Sequence, residues 1–97
     1  MKQETIYTLF AKARKKWGEQ SQIVMGLEET AELQKELCKI YRGDNSLERL
    51  NKLAEEIADV ELMCDQLDYM FGLANKIQEY RTEKLNRLAE LLNLSQK

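Results

Sequence analysis

The sequence predicts an all-α fold: one antiparallel bundle of about four helices, a single domain over 1–97, assembling as a dimer or a tetramer. Three observations predict it. The 97 residues contain no Pro and only four Gly, so little interrupts helical backbone. Leu, Glu, Lys, Ala and Gln dominate, side chains that lose little rotamer freedom in a helix. Apolar residues also recur at steps of three and four, the spacing of one helix face.

Taken in order, Ile6, Leu9, Phe10 and Ala13 predict a first amphipathic helix over 4–16, closed by Trp17-Gly18. A second helix is expected over about 20–41, with Ile23, Leu27, Ala31, Cys38 and Tyr41 on one apolar stripe and Leu33, Leu37 and Ile40 on its flank. Gly43 suits a left-handed helix end there. Asn45 with Glu48 resembles a capping box for the next helix, although Asp44 or Ser46 serves equally as its N-cap. The third helix, 46–71, carries the strongest period: Leu50, Leu53, Ile57, Val60, Cys64, Leu67 and Phe71 form a heptad seam. Met63, Leu67 and Met70 add a second apolar row, as expected of a central helix with two neighbours. Gly72 closes it. A fourth helix follows over about 74–93 through Ile77, Tyr80, Leu85, Leu88, Leu91 and Leu92. Such a long third helix, apolar on several sides, needs a partner subunit to cover it.

Composition also excludes functions. With no His, imidazole catalysis and His-ligated zinc are absent, and two Cys do not make a four-cysteine metal site. Cys38 and Cys64 fall in apolar helical pattern and are expected as small buried hydrophobes in a reducing, cytoplasmic setting. Apolar runs are far shorter than the roughly 20 residues of a membrane span, so no membrane partner is expected. A net charge of -2 provides no basic field for nucleic acid.

Two acidic clusters stand where the pattern calls for something else: Glu28-Glu29-Thr30-Ala31-Glu32 and Glu55-Glu56-Ile57-Ala58-Asp59. Glu29 and Glu32 lie three apart on one helix, and Glu56 and Asp59 three apart on the next, so each pair projects from one face. Like charges at this spacing cost an isolated helix about 0.2–0.5 kcal/mol. No Lys or Arg follows any of them by four residues; those positions hold Leu33, Glu36, Val60 and Met63. The rows beginning at Glu29 and Glu56 run directly into apolar side chains, which marks these acids as half-buried, and unpaired buried carboxylates are costly. An antiparallel hairpin of the two helices gathers up to four carboxylates around one small volume. A hard divalent cation relieves their repulsion, and Mg2+ takes oxygen ligands while bridging to phosphates. The alternative is that both pairs are doubled surface acids.

The arrangement Glu29-x-x-Glu32 followed after 23 residues by Glu56-x-x-Asp59 resembles the metal-binding signature of the MazG-like all-α nucleoside triphosphate pyrophosphohydrolases. Its surroundings are similar as well. Trp17-Gly18-Glu19-Gln20-Ser21-Gln22 ahead of Gly26-Leu27-Glu28-Glu29-Thr30-Ala31-Glu32-Leu33 looks like the family's entry into its first metal helix. Leu53-Ala54-Glu55-Glu56-Ile57-Ala58-Asp59-Val60 looks like its second, and Lys84-Leu85-Asn86-Arg87 is similar to its C-terminal basic element. The resemblance covers roughly 14–88. It implies hydrolysis of a (deoxy)nucleoside triphosphate between the α and β phosphates, giving monophosphate and pyrophosphate. Glu29, Glu32, Glu56 and Asp59 are then the catalytic ligands of Mg2+, or of Mn2+ in its place, and one of them, Glu28 or Glu55 orients the attacking water. Lys84 and Arg87 contact the substrate phosphates, from the same or a neighbouring subunit of a homodimer or homotetramer.

Trp17 is a candidate for stacking on the base, with core capping as its alternative, and Lys84 and Arg87 have solvated helix-face residues as theirs. Met25, Met63 and Met70 read as packing residues. A competing function remains: a non-catalytic helical module that docks another chain on the heptad face of helix three.

Overall fold

A computed structural model of the chain describes residues 1–94. Those residues form three helices: α1 Gln3–Tyr41, α2 Leu47–Phe71 and α3 Ala74–Leu91. The expected first and second helices, 4–16 and about 20–41, both lie within α1 and meet at a kink. Gly18, with φ 83° and ψ 162°, breaks the helical backbone and divides α1 into two arms without a loop. That conformation is essentially open to glycine alone, which is why one residue replaces a connection.

The second arm of α1 and α2 form an antiparallel hairpin closed by Arg42–Ser46. Gly43, at φ 104°, turns the chain out of α1. Of the three candidate caps, Ser46 is the N-cap of α2: its Oγ accepts from the Arg49 N–H at 3.2 Å. Asp44 braces it by accepting from the Ser46 N–H and hydroxyl. At the far end, Gly72 adopts the left-handed conformation and ends α2, as its position in the sequence predicts. The first arm of α1 returns to this end, where Phe10 meets Tyr69 edge-on at 6.0 Å between ring centroids and Tyr7 lies 5.2 Å from the same ring.

Contact between elements is concentrated between α1 and α2; α3 makes no extended contact with either and buries none of its side chains. The hydrophobic core is accordingly small, with Phe10, Met63 and Met70 as its buried apolar residues. The heptad seam of α2 splits lengthwise. Leu53, Val60 and Leu67 turn partly inward beside the fully buried line Glu56, Met63 and Met70, whereas Leu50, Ile57, Cys64 and Phe71 remain exposed.

α1 also turns on its axis relative to the expected stripe. Leu27, Cys38 and Tyr41 are exposed, and the inward line is Gln22, Glu29 and Glu36, seven residues apart. Of these, Glu36 meets a basic partner on α2 in Arg49, whereas Glu29 faces the acids Glu56 and Asp59. Both cysteines are therefore exposed rather than buried. Met63 and Met70 pack in the core, while Met25 stays on the surface.

The chain is extended for its size. Its radius of gyration is 16.7 Å, against about 13 Å for a compact domain of 100 residues. Its accessible surface of 8095 Å² exceeds by about 2,300 Å² what a compact monomer of 11.4 kDa exposes.

Candidate metal centre

Midway along the hairpin, Glu29 from α1 meets Glu56 and Asp59 from α2. Each offers a carboxylate oxygen, and these oxygens lie within 4.8 Å of one another. Oxygens on opposite sides of one hard cation are about 4–5 Å apart, so a group within that limit has room for one ion. Glu56 is only 4% exposed, and among the described residues its Oε2 has no hydrogen-bond partner. A buried carboxylate oxygen without a donor is costly, and a divalent cation would supply what the described residues do not. The donor set, all carboxylate oxygen, matches Mg2+ or Mn2+.

Electrostatics point the same way. The Glu29 carboxyl is held above its ordinary value of 4.5 by burial first, then by the charge and hydrogen-bonding proximity of Asp59, and further by Glu56 and Glu32. One basic side chain reaches the cluster from outside: the Lys52 ammonium lies 3.2 Å from Glu56 Oε1 and 3.4 Å from Glu55 Oε1. The hydrogen bond to Glu56, with Glu55 adding to it, raises the Lys52 pKa above its ordinary value.

The same hairpin contains a carboxylate treated in the opposite way. Glu36 is 2% exposed and accepts from Arg49 Nη1 at 2.7 and 3.0 Å, with Lys39 Nζ at 3.6 Å. Arg49 Nε also donates to Asp44 at 3.1 Å. Glu36 is thus neutralised by a guanidinium, and among the described residues none pairs with Glu29, Glu56 or Asp59. Compared with protein-family models, with curated proteins and with solved structures, the chain matches none. The site therefore stands on its own geometry.

The other site residues expected from sequence distribute as follows. Glu32 is exposed and outside the three-carboxylate group, one turn along α1, near enough for its charge to act on Glu29. Glu28 and Glu55 are exposed at the margins. Trp17 is 55% exposed at the end of the first arm, with the Lys16 ammonium 5.3 Å above its ring. It lines a groove of about 660 Å³ with Leu9, Phe10 and Leu62, so it neither caps the core nor touches the acids. Lys84 and Arg87 lie exposed on α3 and are not gathered with the carboxylates; Lys84 borders a groove on α3 beside Ile77 and Tyr80.

Two residues escaped the sequence reading. Glu36 was visible only as the residue four after Glu32, yet Gln22, Glu29 and Glu36 recur every seven positions, and that polar heptad was the available signal. Lys52 stands four residues before Glu56, the spacing of a helical ion pair.

Proposed function

We propose that the chain is a Mg2+-dependent (deoxy)nucleoside triphosphate pyrophosphohydrolase, in keeping with the resemblance of its acidic motifs to the MazG-like family. One observation carries the proposal: Glu29, Glu56 and Asp59 converge from two helices without a basic partner of their own beyond the peripheral Lys52, and Glu56 keeps a buried oxygen unpaired. Glu29, Glu56 and Asp59 hold the cation, with Glu32 at the open edge. Bound there, a divalent cation would supply charge neutralisation on the phosphates and acidify a water. Glu28, Glu55 or one of the ligands orients that water at the α phosphorus. The water oxygen bonds to the α phosphorus as its bond to the α–β bridging oxygen breaks, so monophosphate and pyrophosphate leave. Trp17 presents an exposed aromatic face suited to a nucleobase.

Assembly belongs to the same reading. The excess surface of about 2,300 Å² per chain is the order of area that an obligate interface covers. The exposed row Leu50, Ile57, Cys64 and Phe71, together with the unpartnered α3, supports a homodimer or homotetramer, in which Lys84 and Arg87 reach the substrate phosphates of a neighbouring site.

The deciding experiment is a product assay over ribo- and deoxynucleoside triphosphates with and without Mg2+. Monophosphate and pyrophosphate formed only with metal are expected. Absence of turnover across the panel overturns the assignment and favours the second reading, a non-catalytic module that docks another protein on the exposed row of α2.

A further inference from the structure

Lys52 is the basic group set beside the carboxylate cluster. Its ammonium stands between two acids of unlike surroundings: Glu56, buried, at 3.2 Å, and Glu55, exposed, at 3.4 Å. The lysine is itself 44% exposed, on a flexible stem that brings both acids within reach from one backbone position. We infer that Lys52 is a resident counter-cation that competes with the divalent ion for Glu56 and thereby sets how tightly the centre holds metal. This rests on reading Glu29, Glu56 and Asp59 as a metal centre.

The argument is one of charge and place. Three acids drawn to within 4.8 Å repel one another, and one positive charge on Glu56 relieves part of that repulsion. The relief belongs to the chain before metal is bound. A divalent ion on the same carboxylates stands close to the ammonium, and the two cations repel. Glu55 then offers Lys52 a second partner on the same helix, one turn outward toward solvent. Lys52 therefore stabilises the hairpin without metal and weakens the centre's affinity for it. Arg49 is the contrasting case: it pairs with Glu36 and Asp44, neither of which belongs to the three-carboxylate group.

The test measures Mn2+ affinity by electron paramagnetic resonance of the free ion, and the melting temperature in chelator and in Mg2+, for the wild type, Lys52→Met and Lys52→Arg. Lys52→Met is expected to bind Mn2+ roughly tenfold more tightly, the order of one unit charge acting on a divalent ion across a few ångströms of wet protein. It is also expected to melt lower in chelator, so that its rise with Mg2+ is larger than that of the wild type. Lys52→Arg keeps the charge and is expected to retain wild-type affinity. Unchanged or weaker Mn2+ binding in Lys52→Met overturns the competition, and weaker binding assigns Lys52 to support of the ligands instead. Lys52→Gln serves the same comparison if the methionine variant does not fold. A wild type that binds no Mn2+ overturns the metal centre itself, an outcome distinct from a wild type that binds and a variant that binds no better.

Discussion

The Arg49 guanidinium donates from one nitrogen to both oxygens of the buried Glu36 carboxylate, at 2.7 and 3.0 Å, and so fastens α2 to α1 beside the connecting loop. Two helical turns away on the same line of α1, Glu29 faces two carboxylates instead. The hairpin thus contains one acid neutralised by a guanidinium and, on the same line, one that is not.

Arg49→Met strands Glu36 in the interior with Lys39 alone at 3.6 Å. Losing one partner of a buried pair costs about 3 kcal/mol, the low end of the usual range because Lys39 remains. For a domain of this size the melting temperature falls by more than about 10 °C. The double variant Arg49→Met, Glu36→Leu recovers most of the loss in thermal denaturation. A single variant as stable as the wild type removes the fastening role.

Glu29→Gln is expected to act with opposite sign in the two states of the centre. In chelator it removes a repelled charge at nearly constant volume and raises the melting temperature by a few degrees. In Mg2+ it loses a ligand, and the metal-induced rise in melting temperature shrinks or vanishes. Equal effects in both conditions contradict the assignment.

Acid titration in chelator separates Glu29 from Asp44. The Glu29 pKa is raised on folding, so the native state binds the extra proton and stability falls as pH rises from the ordinary value of 4.5 through the folded one. The Asp44 carboxyl is held down by the Ser46 hydroxyl and Arg49, so its contribution is present above 3.8 and disappears as pH falls through its folded value. Melting temperature against pH in Glu29→Gln flattens the first slope, and Asp44→Asn flattens the second.

Two glycines predict opposite responses to Ala. At Gly18 the space is open but φ is 83°, so Gly18→Ala is strained by roughly 1–3 kcal/mol or straightens α1 and withdraws Phe10 from Tyr69. Near-ultraviolet circular dichroism reads the second outcome. Within the second arm, an added Cβ at Gly26 meets Leu67 Cδ1 at an ordinary 3.8 Å, and Gly26→Ala stabilises by about 0.5–1 kcal/mol.

Cys38→Ser is expected to leave stability within about 0.5 kcal/mol, since the thiol is exposed. Cys64 lies in the exposed apolar row of α2, so assembly along that row slows its reaction with a thiol reagent relative to the same chain diluted to monomer. Equal rates at high and low concentration move the interface elsewhere.

Helical period, glycine ends and the absence of Pro made the all-α class legible, and both acidic pairs were legible because they interrupt apolar rows. The orientation of each helix about its axis was not. Leu27, Cys38 and Tyr41 satisfy an apolar stripe as well as Leu33 and Ile40 do, and only α2 determines which face turns inward. A pattern of apolar spacing also gives no weight to the buried Gln22 and Glu36, and Glu36 meets its partner Arg49 13 residues away in sequence. Gly18 is legible as the end of the first helix, and the helical backbone breaks there; that the next helix starts at once, without a loop, has no local signal.

The hairpin's contacts differ in the length of chain they close. Glu36 and Arg49 are 13 residues apart, whereas Glu29 and Asp59 are 30 apart. Short closures form early, so folding zips from the Ser46 turn toward the aromatic end, and the carboxylates come together late. Their mutual repulsion then falls chiefly on the rate of unfolding rather than of folding. A cation held there as proposed would act as a brake on opening: it would lengthen the lifetime of the closed hairpin while leaving the speed of its formation almost unchanged.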